Sequence, residues 1–199
     1  MFKNNRWIFI VGLVVGLGIV AAVALPKLRP YSFHGTVLQS PNKAPDFKLE
    51  SVGGPVSLED FRGQIVLLYF GYTFCPDVCP TTLAEVSKAM DILGKKERQV
   101  QFIMVSVDPG RDTPEMLRDY VTHFHPNFLG VTGSEDAIAA LATLYGVFYE
   151  KHEGTEATGY LVDHTATVMV IDQEGYLKLI FPFGTSAEDI AADLAFMLK

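Results

Sequence analysis

One uninterrupted apolar segment, Ile65–Phe70, restricts the fold of this chain more than any other feature of its sequence. Apolar residues without polar alternation are typical of a strand that is buried on both faces of a parallel sheet. A helical pattern follows at Pro80–Glu97, and a second strand pattern follows at Val100–Val107. The order strand, helix, strand predicts a βαβ unit and therefore an α/β fold.

The rest of the chain extends this architecture. Thr113 and Pro114 predict the N-cap and the first position of a helix. The other predicted elements are short extended segments at Asp46–Ser51 and Val56–Phe61, a helix at Ser134–Tyr145, strands at Val147–Glu150, Thr165–Ile171 and Leu177–Phe183, and a closing helix at Ser186–Leu198. Parallel strands with crossover helices, followed by a β-hairpin and a helix, indicate a thioredoxin-like α/β fold with insertions.

The N-terminal segment Trp7–Leu25 is apolar and uncharged over 19 residues. An α-helix needs roughly 20 such residues to cross the hydrocarbon core of a bilayer. We therefore predict a transmembrane anchor at 7–25, with a cytoplasmic tail at 1–6, a linker at 26–44 and one folded domain at 45–199. A cleavable signal peptide is the alternative, because Ala22–Ala24 resembles a small-x-small cleavage site.

The charge of the chain argues against a nucleic-acid partner. The formal net charge is −7, and all 23 acidic residues lie after Pro30. Nucleic-acid binding requires a basic surface, which this composition does not supply. The acidic balance suits cations or a basic partner, although a solvated surface explains it equally well.

The chain has only two cysteines, Cys75 and Cys79, and they lie between the buried strand and the following helix. Functional sites of open α/β sheets form at such strand ends. If the segment is helical, residues four apart share one face, so both a dithiol and a disulfide bond are accessible. A helix N-terminus also favours the thiolate. We therefore predict a redox-active pair.

The same cysteines are candidate metal ligands, because soft thiolates select copper(I), zinc or iron–sulfur clusters. Two thiolates exclude a four-cysteine site within one chain, and a zinc site would need further ligands. Copper accepts two thiolates with one imidazole. His164 directly precedes the predicted strand Thr165–Ile171, and in a thioredoxin-like fold that position lies beside the cysteines. His164 is therefore the candidate third ligand, with a purely structural histidine as the alternative.

Three separate motifs, Gly71–Pro80, Ser106–Pro114 and Val162–Thr165, together resemble the SCO/SenC family of copper-handling proteins in cytochrome c oxidase assembly. The resemblance extends from about Ala44 to the C-terminus. It implies a thioredoxin-like copper-binding domain that faces the extracytoplasmic side of the cell (inner) membrane on a single-pass anchor.

The resemblance also implies a ligand set and a partner. Cys75, Cys79 and His164 are expected to bind one copper ion per chain, as Cu(I) or Cu(II), and Asp77 is expected to influence the site without binding the ion. The expected role is delivery of copper to the CuA site of cytochrome c oxidase subunit II, or reduction of its cysteines, or both. Other copper chaperones and thiol reductants are further expected partners.

Two other functions stay open at this point. A thiol-disulfide oxidoreductase or thiol peroxidase of the cell envelope would use one cysteine to attack and the other to resolve. A redox or copper sensor is the third hypothesis. Structural roles are expected for the polar residues Asp108, Arg111, Asp112 and Asp163. His34 and His152 have no partner near them in the sequence and are expected at the surface.

Overall fold

The computed structural model describes residues 7, 10–16, 30–155 and 159–199. The chain divides into two units, Met1–Ser32 and Phe33–Lys199. In the first unit, residues 10–16 are helical with exposed side chains. Most of the predicted anchor at Trp7–Leu25 lies outside the described residues. Within the described part, no helix combines the length and the apolar character that crossing a bilayer requires.

The second unit is a mixed α/β structure, as the sequence predicts. Its strands are β1 (Thr36–Val37), β2 (Lys48–Ser51), β3 (Gly54–Ser57), β4 (Ile65–Gly71), β5 (Val100–Ser106), β6 (Leu129–Val131), β7 (Tyr149–Glu153), β8 (Tyr160–His164), β9 (Thr167–Ile171) and β10 (Leu177–Pro182). Its helices are α1 (Val78–Leu93), α2 (Pro114–Phe124), α3 (Glu135–Leu144) and α4 (Ala187–Met197).

Six strands form one sheet in the order β1-β10-β9-β4-β5-β6, while β2–β3 and β7–β8 form separate two-stranded sheets. Strands β4, β5 and β6 are parallel, and β9, β10 and β1 are added antiparallel. Every residue of β4 is buried. This confirms the prediction that the apolar run forms a strand at the centre of the core.

The register of the sheet decides which loops meet. Gly71 at the end of β4 pairs with Ser106 at the end of β5, so the loops after both strands leave from one edge. Strand β9 runs antiparallel to β4, with Tyr69 opposite Val168. The chain therefore enters β9 at the edge where β4 ends, which brings the segment before β9 beside the loop after β4.

The predicted starts of the three later helices are confirmed. Each N-cap side chain accepts a hydrogen bond from the backbone N–H three residues later, which satisfies one of the unpaired donors of the first turn. These pairs are Thr113 with Met116, Ser134 with Ala137, and Ser186 with Asp189.

Two predicted element boundaries were wrong for local reasons. The extended segment expected at Val56–Phe61 changes to a 3₁₀-helix at Leu58–Phe61, because Ser57 and Asp60 form a capping box. The helix expected at Pro80–Glu97 ends at Leu93, since Gly94 has a φ of 56°. Glycine adopts that left-handed conformation without the steric cost of a Cβ atom.

The folded unit is also larger and more elaborate than predicted. Strand β1 pairs with β10, and Ala44 is buried, so residues 33–44 of the expected linker belong to this unit. Strand β8 pairs with β7 to form a hairpin that the sequence pattern does not predict. Only one residue of β8, Val162, is buried, so its sequence lacks the apolar alternation by which a strand is recognised.

Candidate metal centre

Cys75 and Cys79 lie in the loop after β4 and in the first turn of α1, and both are free thiols. Cys75 precedes the helix and is partly exposed, whereas Cys79 is fully buried. The backbone N–H of Cys79 donates a hydrogen bond to Cys75 Sγ at 3.4 Å. The Cys75 sulfur therefore accepts from a first-turn amide, where helices favour an electron-rich group.

Cys79 packs directly against the end of the central strand. A Cβ atom added to Gly71 would lie 2.9 Å from Cys79 Sγ and 2.7 Å from the Tyr69 ring. The Tyr69 hydroxyl donates toward Cys79 Sγ at 3.5 Å. Sequence reasoning missed both neighbours, although an isolated glycine at the end of an apolar strand signals close approach of another group.

His164 is the last residue of β8 and is half-buried. Its Nε2 lies 3.3 Å from Cys79 Sγ, and its Nδ1 lies 3.3 Å from the carbonyl oxygen of Thr165. A proton on Nδ1 satisfies that carbonyl and leaves Nε2 as the metal-binding nitrogen. The ring sits edge-on between two tyrosines, Tyr69 at 6.0 Å and Tyr72 at 5.9 Å between ring centres.

The ligand atoms of Cys75, Cys79 and His164 all lie within 4.8 Å of one another. Across residues 7, 10–16, 30–155 and 159–199, no other group of three or more His, Cys, Asp or Glu side chains has this arrangement. Two sulfur atoms and one imidazole nitrogen form a soft donor set that suits copper, whereas structural zinc sites use four protein ligands. The donor set therefore fits the ion expected from the sequence.

The two thiols differ in acidity. The pKa of Cys75 is lowered to about 4, chiefly by a hydrogen bond from the Cys79 thiol, with smaller contributions from the neighbouring His164 ring and the Cys79 backbone N–H, against the opposing effect of burial. Burial raises the pKa of Cys79, and the neighbouring Cys75 thiolate raises it further. Near neutral pH the pair therefore contains one thiolate and one thiol, and the thiolate is both the stronger nucleophile and the better ligand.

The site opens into a cavity of about 520 Å³ that is lined by Cys75, Asp77, Phe148, Asp163 and His164, among others. Asp77 is exposed at the N-cap position of α1 and makes no capping hydrogen bond through its side chain. The Phe148 side chain is 63% exposed at the rim. A partner can thus approach the partly exposed Cys75 sulfur from this side.

Three other residues selected from the sequence, His34, His152 and Asp163, lie in ion pairs. Asp163 Oδ2 is 2.7 Å from His152 Nε2, across the β7–β8 hairpin. His34 Nδ1 is 2.9 Å from Asp193 Oδ1. Both histidines are exposed, as expected, and their partners Asp193 and Asp163 do not lie beside them in the sequence.

The chain is similar to known proteins in both sequence and fold. Residues 36–199 match the family model described as SCO1/SenC. The chain is 33% identical over 178 residues to a SCO2-like protein of Rickettsia felis, and the match covers 86% of each chain.

Two solved structures give the same result. Apo Sco1 of Thermus thermophilus superposes with a TM-score of 0.76 at 45% identity, over 84% of this chain and 98% of that one. Bradyrhizobium japonicum ScoI with copper bound has a TM-score of 0.71 at 36% identity, over 78% of this chain and 99% of that one. The fold, the three convergent motifs and these similarities lead to one conclusion: the chain belongs to the SCO1/SenC family.

Proposed function

We propose that this chain is a copper-binding protein of cytochrome c oxidase assembly, in which Cys75, Cys79 and His164 bind one copper ion. The observation that carries the proposal is the grouping of these three ligand atoms within 4.8 Å of one another. The solved structures of relatives with copper bound support it. Copper is the cargo, held as Cu(I) or Cu(II) by the soft donor set.

The proposed partner is the CuA site of cytochrome c oxidase subunit II. The protein would deliver copper to that site, reduce its cysteines, or do both, with other copper chaperones and thiol reductants supplying the ion or the electrons. The exposed rim at Phe148 and the partly exposed Cys75 support direct ligand exchange with such a partner. We place the domain on the extracytoplasmic side of the cell (inner) membrane, with residues 7–25 as the anchor.

Copper binding is tested on the purified full chain by absorption spectroscopy and by competition with a copper chelator. We expect one ion per chain and a copper(II)–thiolate band that is lost in Cys75→Ser and in Cys79→Ser. His164→Ala should weaken binding severely. If His164→Ala binds copper as tightly as the wild type, the three-ligand site is wrong.

The role in assembly is tested in cells that lack the protein. Oxidase activity should return with the wild-type chain and should not return with the Cys75→Ser, Cys79→Ser double variant. Rescue by that double variant would contradict the proposal.

A second candidate function is thiol-disulfide exchange, which the lowered pKa of Cys75 favours. The Cys75 thiolate would attack a partner disulfide and release one partner thiolate. Cys79, after losing its proton, would then attack the Cys75 sulfur and release the second partner sulfur. The partner disulfide gains two electrons, and Cys75 and Cys79 become a disulfide. This activity should persist in His164→Ala, whereas copper binding should be severely weakened.

A further inference from the structure

The β7–β8 hairpin, which supplies His164, stands apart from the sheet that supplies both sulfur ligands. Among the described strands, β8 pairs only with β7. Phe148 and Thr165 close the base of the hairpin, where the Thr165 N–H donates to the Phe148 carbonyl at 2.9 Å. Most of β7 is exposed. The distance between His164 and the two thiols therefore depends on whatever fastens the hairpin to the cysteine loop.

The first part of that connection is the fully buried carboxylate of Asp112. It accepts hydrogen bonds from the Thr73 N–H at 3.1 Å, from the Thr73 hydroxyl at 2.5 Å and from the Ser106 hydroxyl at 2.6 Å. Thr73 lies two residues before Cys75, and Ser106 ends β5. Asp112 thus ties the cysteine loop to the neighbouring parallel strand.

The second part is Asp108, which is also fully buried and contacts the hairpin. Its carboxylate accepts a hydrogen bond from the Tyr160 hydroxyl at 2.5 Å and another from Arg111 Nε. Lys151 of β7 lies 3.9 Å from the same carboxylate. Both strands of the hairpin therefore contact one buried negative charge.

Arg111 spans the two regions. Its Nη1 donates to the backbone carbonyl of Tyr160 at 3.0 Å, and its guanidinium carbon lies 3.6 Å from the centre of the Tyr160 ring. On the other side, the same carbon lies 4.7 Å from the centre of the Phe74 ring. Phe74 immediately precedes Cys75. A planar cation that stacks on both rings fixes their separation, which an ammonium group could not do in the same way.

We propose, building on the copper-binding function above, that Arg111 is a positioning residue that holds the β7–β8 hairpin against the cysteine loop. Through Asp108 and Tyr160 it sets His164 within ligand distance of the two thiols. The Tyr72 hydroxyl accepts a hydrogen bond from the Val162 N–H at 3.2 Å, two residues before His164. Hydrogen exchange at the Val162 amide therefore measures whether the hairpin is attached to the cysteine loop.

The consequence for metal binding is specific. When the hairpin is loosened, only a fraction of the molecules presents all three ligands at one time. The apparent copper affinity is then reduced in proportion to that fraction. Binding that uses the two thiolates alone should be unaffected, because Cys79 is buried against the central strand and Asp112 ties the cysteine loop to β5. Arg111 should therefore affect copper only through His164.

The test uses the full chain with Arg111→Met, which keeps an apolar stem but removes the charge and all donors. We expect copper(II) binding to weaken roughly 10- to 100-fold, the range for groups that orient a metal ligand. Without metal, the Val162 amide should exchange its hydrogen faster, whereas the Val170 amide of the central sheet should not. Arg118→Met is the matched control, since Arg118 is an exposed arginine paired with Asp119.

A double variant separates positioning from general destabilisation. In a His164→Ala background, Arg111→Met should cause no further loss of copper affinity. An equal loss in both backgrounds would overturn the proposal, and so would wild-type affinity together with unchanged Val162 exchange in Arg111→Met.

The proposal can still be tested if Arg111→Met does not fold or if the wild-type chain binds no copper. If Arg111→Met does not fold, Tyr160→Phe removes only the hydroxyl that binds Asp108 and should show the same pattern with a smaller loss. If the wild-type chain binds no copper, the proposed function fails. Val162 exchange then decides alone whether Arg111 holds the hairpin, and unchanged exchange overturns that claim.

Discussion

The cysteine loop and the β7–β8 hairpin contribute to one site but differ in how they are held. Cys79 is fully buried against Gly71 and Tyr69 of the central strand, so its position follows from the core. His164 is half-buried on a hairpin outside the main sheet. Regions with few buried contacts open at lower free energy than core strands do. The candidate site thus combines a sulfur ligand that the core holds in place, Cys79, with a nitrogen ligand whose position depends on peripheral contacts.

The largest effect on copper binding is expected from Gly71→Ala, which changes the packing around Cys79. The new Cβ would lie 2.9 Å from Cys79 Sγ and 2.7 Å from the Tyr69 ring, so Cys79 must move. Inserting a methyl group into such a packed position costs about 1–3 kcal/mol. We expect loss of the copper–thiolate band and a lower free energy of unfolding, measured by absorption and urea titration.

Gly53→Ala provides the control for that prediction. A Cβ there would meet only Ser51 Oγ at 3.7 Å, which is an ordinary contact. Copper binding should be unchanged. Retention of the copper band in Gly71→Ala would mean that the sulfur position is less constrained than the packing implies.

The next largest effect concerns pH and tests whether Cys75 and Cys79 differ in acidity. Because the pKa of Cys75 is lowered to about 4, this thiol is already ionised throughout the neutral range. Its alkylation rate in the metal-free protein should be nearly constant from about pH 6 to about pH 8, where an ordinary thiol with a pKa of about 8.5 becomes steadily more reactive. Mass spectrometry after brief alkylation should find Cys75 modified and Cys79 unmodified.

The lowered pKa of Cys75 also makes the free energy of unfolding depend on pH. The lowered pKa of Cys75 contributes stability that is fully present above the unfolded-state pKa, and this contribution is lost as pH falls toward about 4. His164→Ala removes one of the smaller contributions that lower this pKa, so the pH at which alkylation of Cys75 begins should shift upward while Cys79 still keeps it below the ordinary value. A steep pH dependence in the wild type would show that Cys75 is an ordinary thiol.

A smaller effect is expected from Tyr72→Phe, which acts on the attachment of the hairpin. The Val162 N–H loses its acceptor and becomes an unpaired donor in a buried position, which costs about 1–3 kcal/mol locally. Faster exchange of the Val162 amide and weaker copper binding should result, measured by NMR and chelator competition. Unchanged exchange at Val162 would show that other contacts suffice to hold β8.

The smallest effect is expected from Asp163→Asn. Asp163 is adjacent to His164, but its carboxylate is 74% exposed and pairs with His152. Exposed ion pairs contribute about 0–1 kcal/mol. Copper affinity should therefore stay at the wild-type value, and the free energy of unfolding should change by less than about 1 kcal/mol. A large loss of affinity would assign Asp163 to the site rather than to the hairpin surface.

Much of the fold could be predicted because its signals are local. The apolar run of β4, the N-caps Thr113, Ser134 and Ser186, and the loop that carries the cysteines each depend on residues close in sequence. The boundaries that were wrong depended on weaker signals, such as the left-handed Gly94. The hairpin was missed because only Val162 of β8 is buried, so hydrophobic periodicity could not reveal a strand.

The sequence by itself determined that two thiols lie at the end of a buried strand, since strand, loop and helix are contiguous. It also indicated His164, through its place before a predicted strand and through the family motifs. Only the tertiary structure decided the geometry that joins them. The antiparallel entry of β9 beside β4 brings His164 to the cysteines, and Tyr72 and Arg111 hold it there. Contacts between residues so distant along the chain arise from strand order and register, which no local pattern specifies.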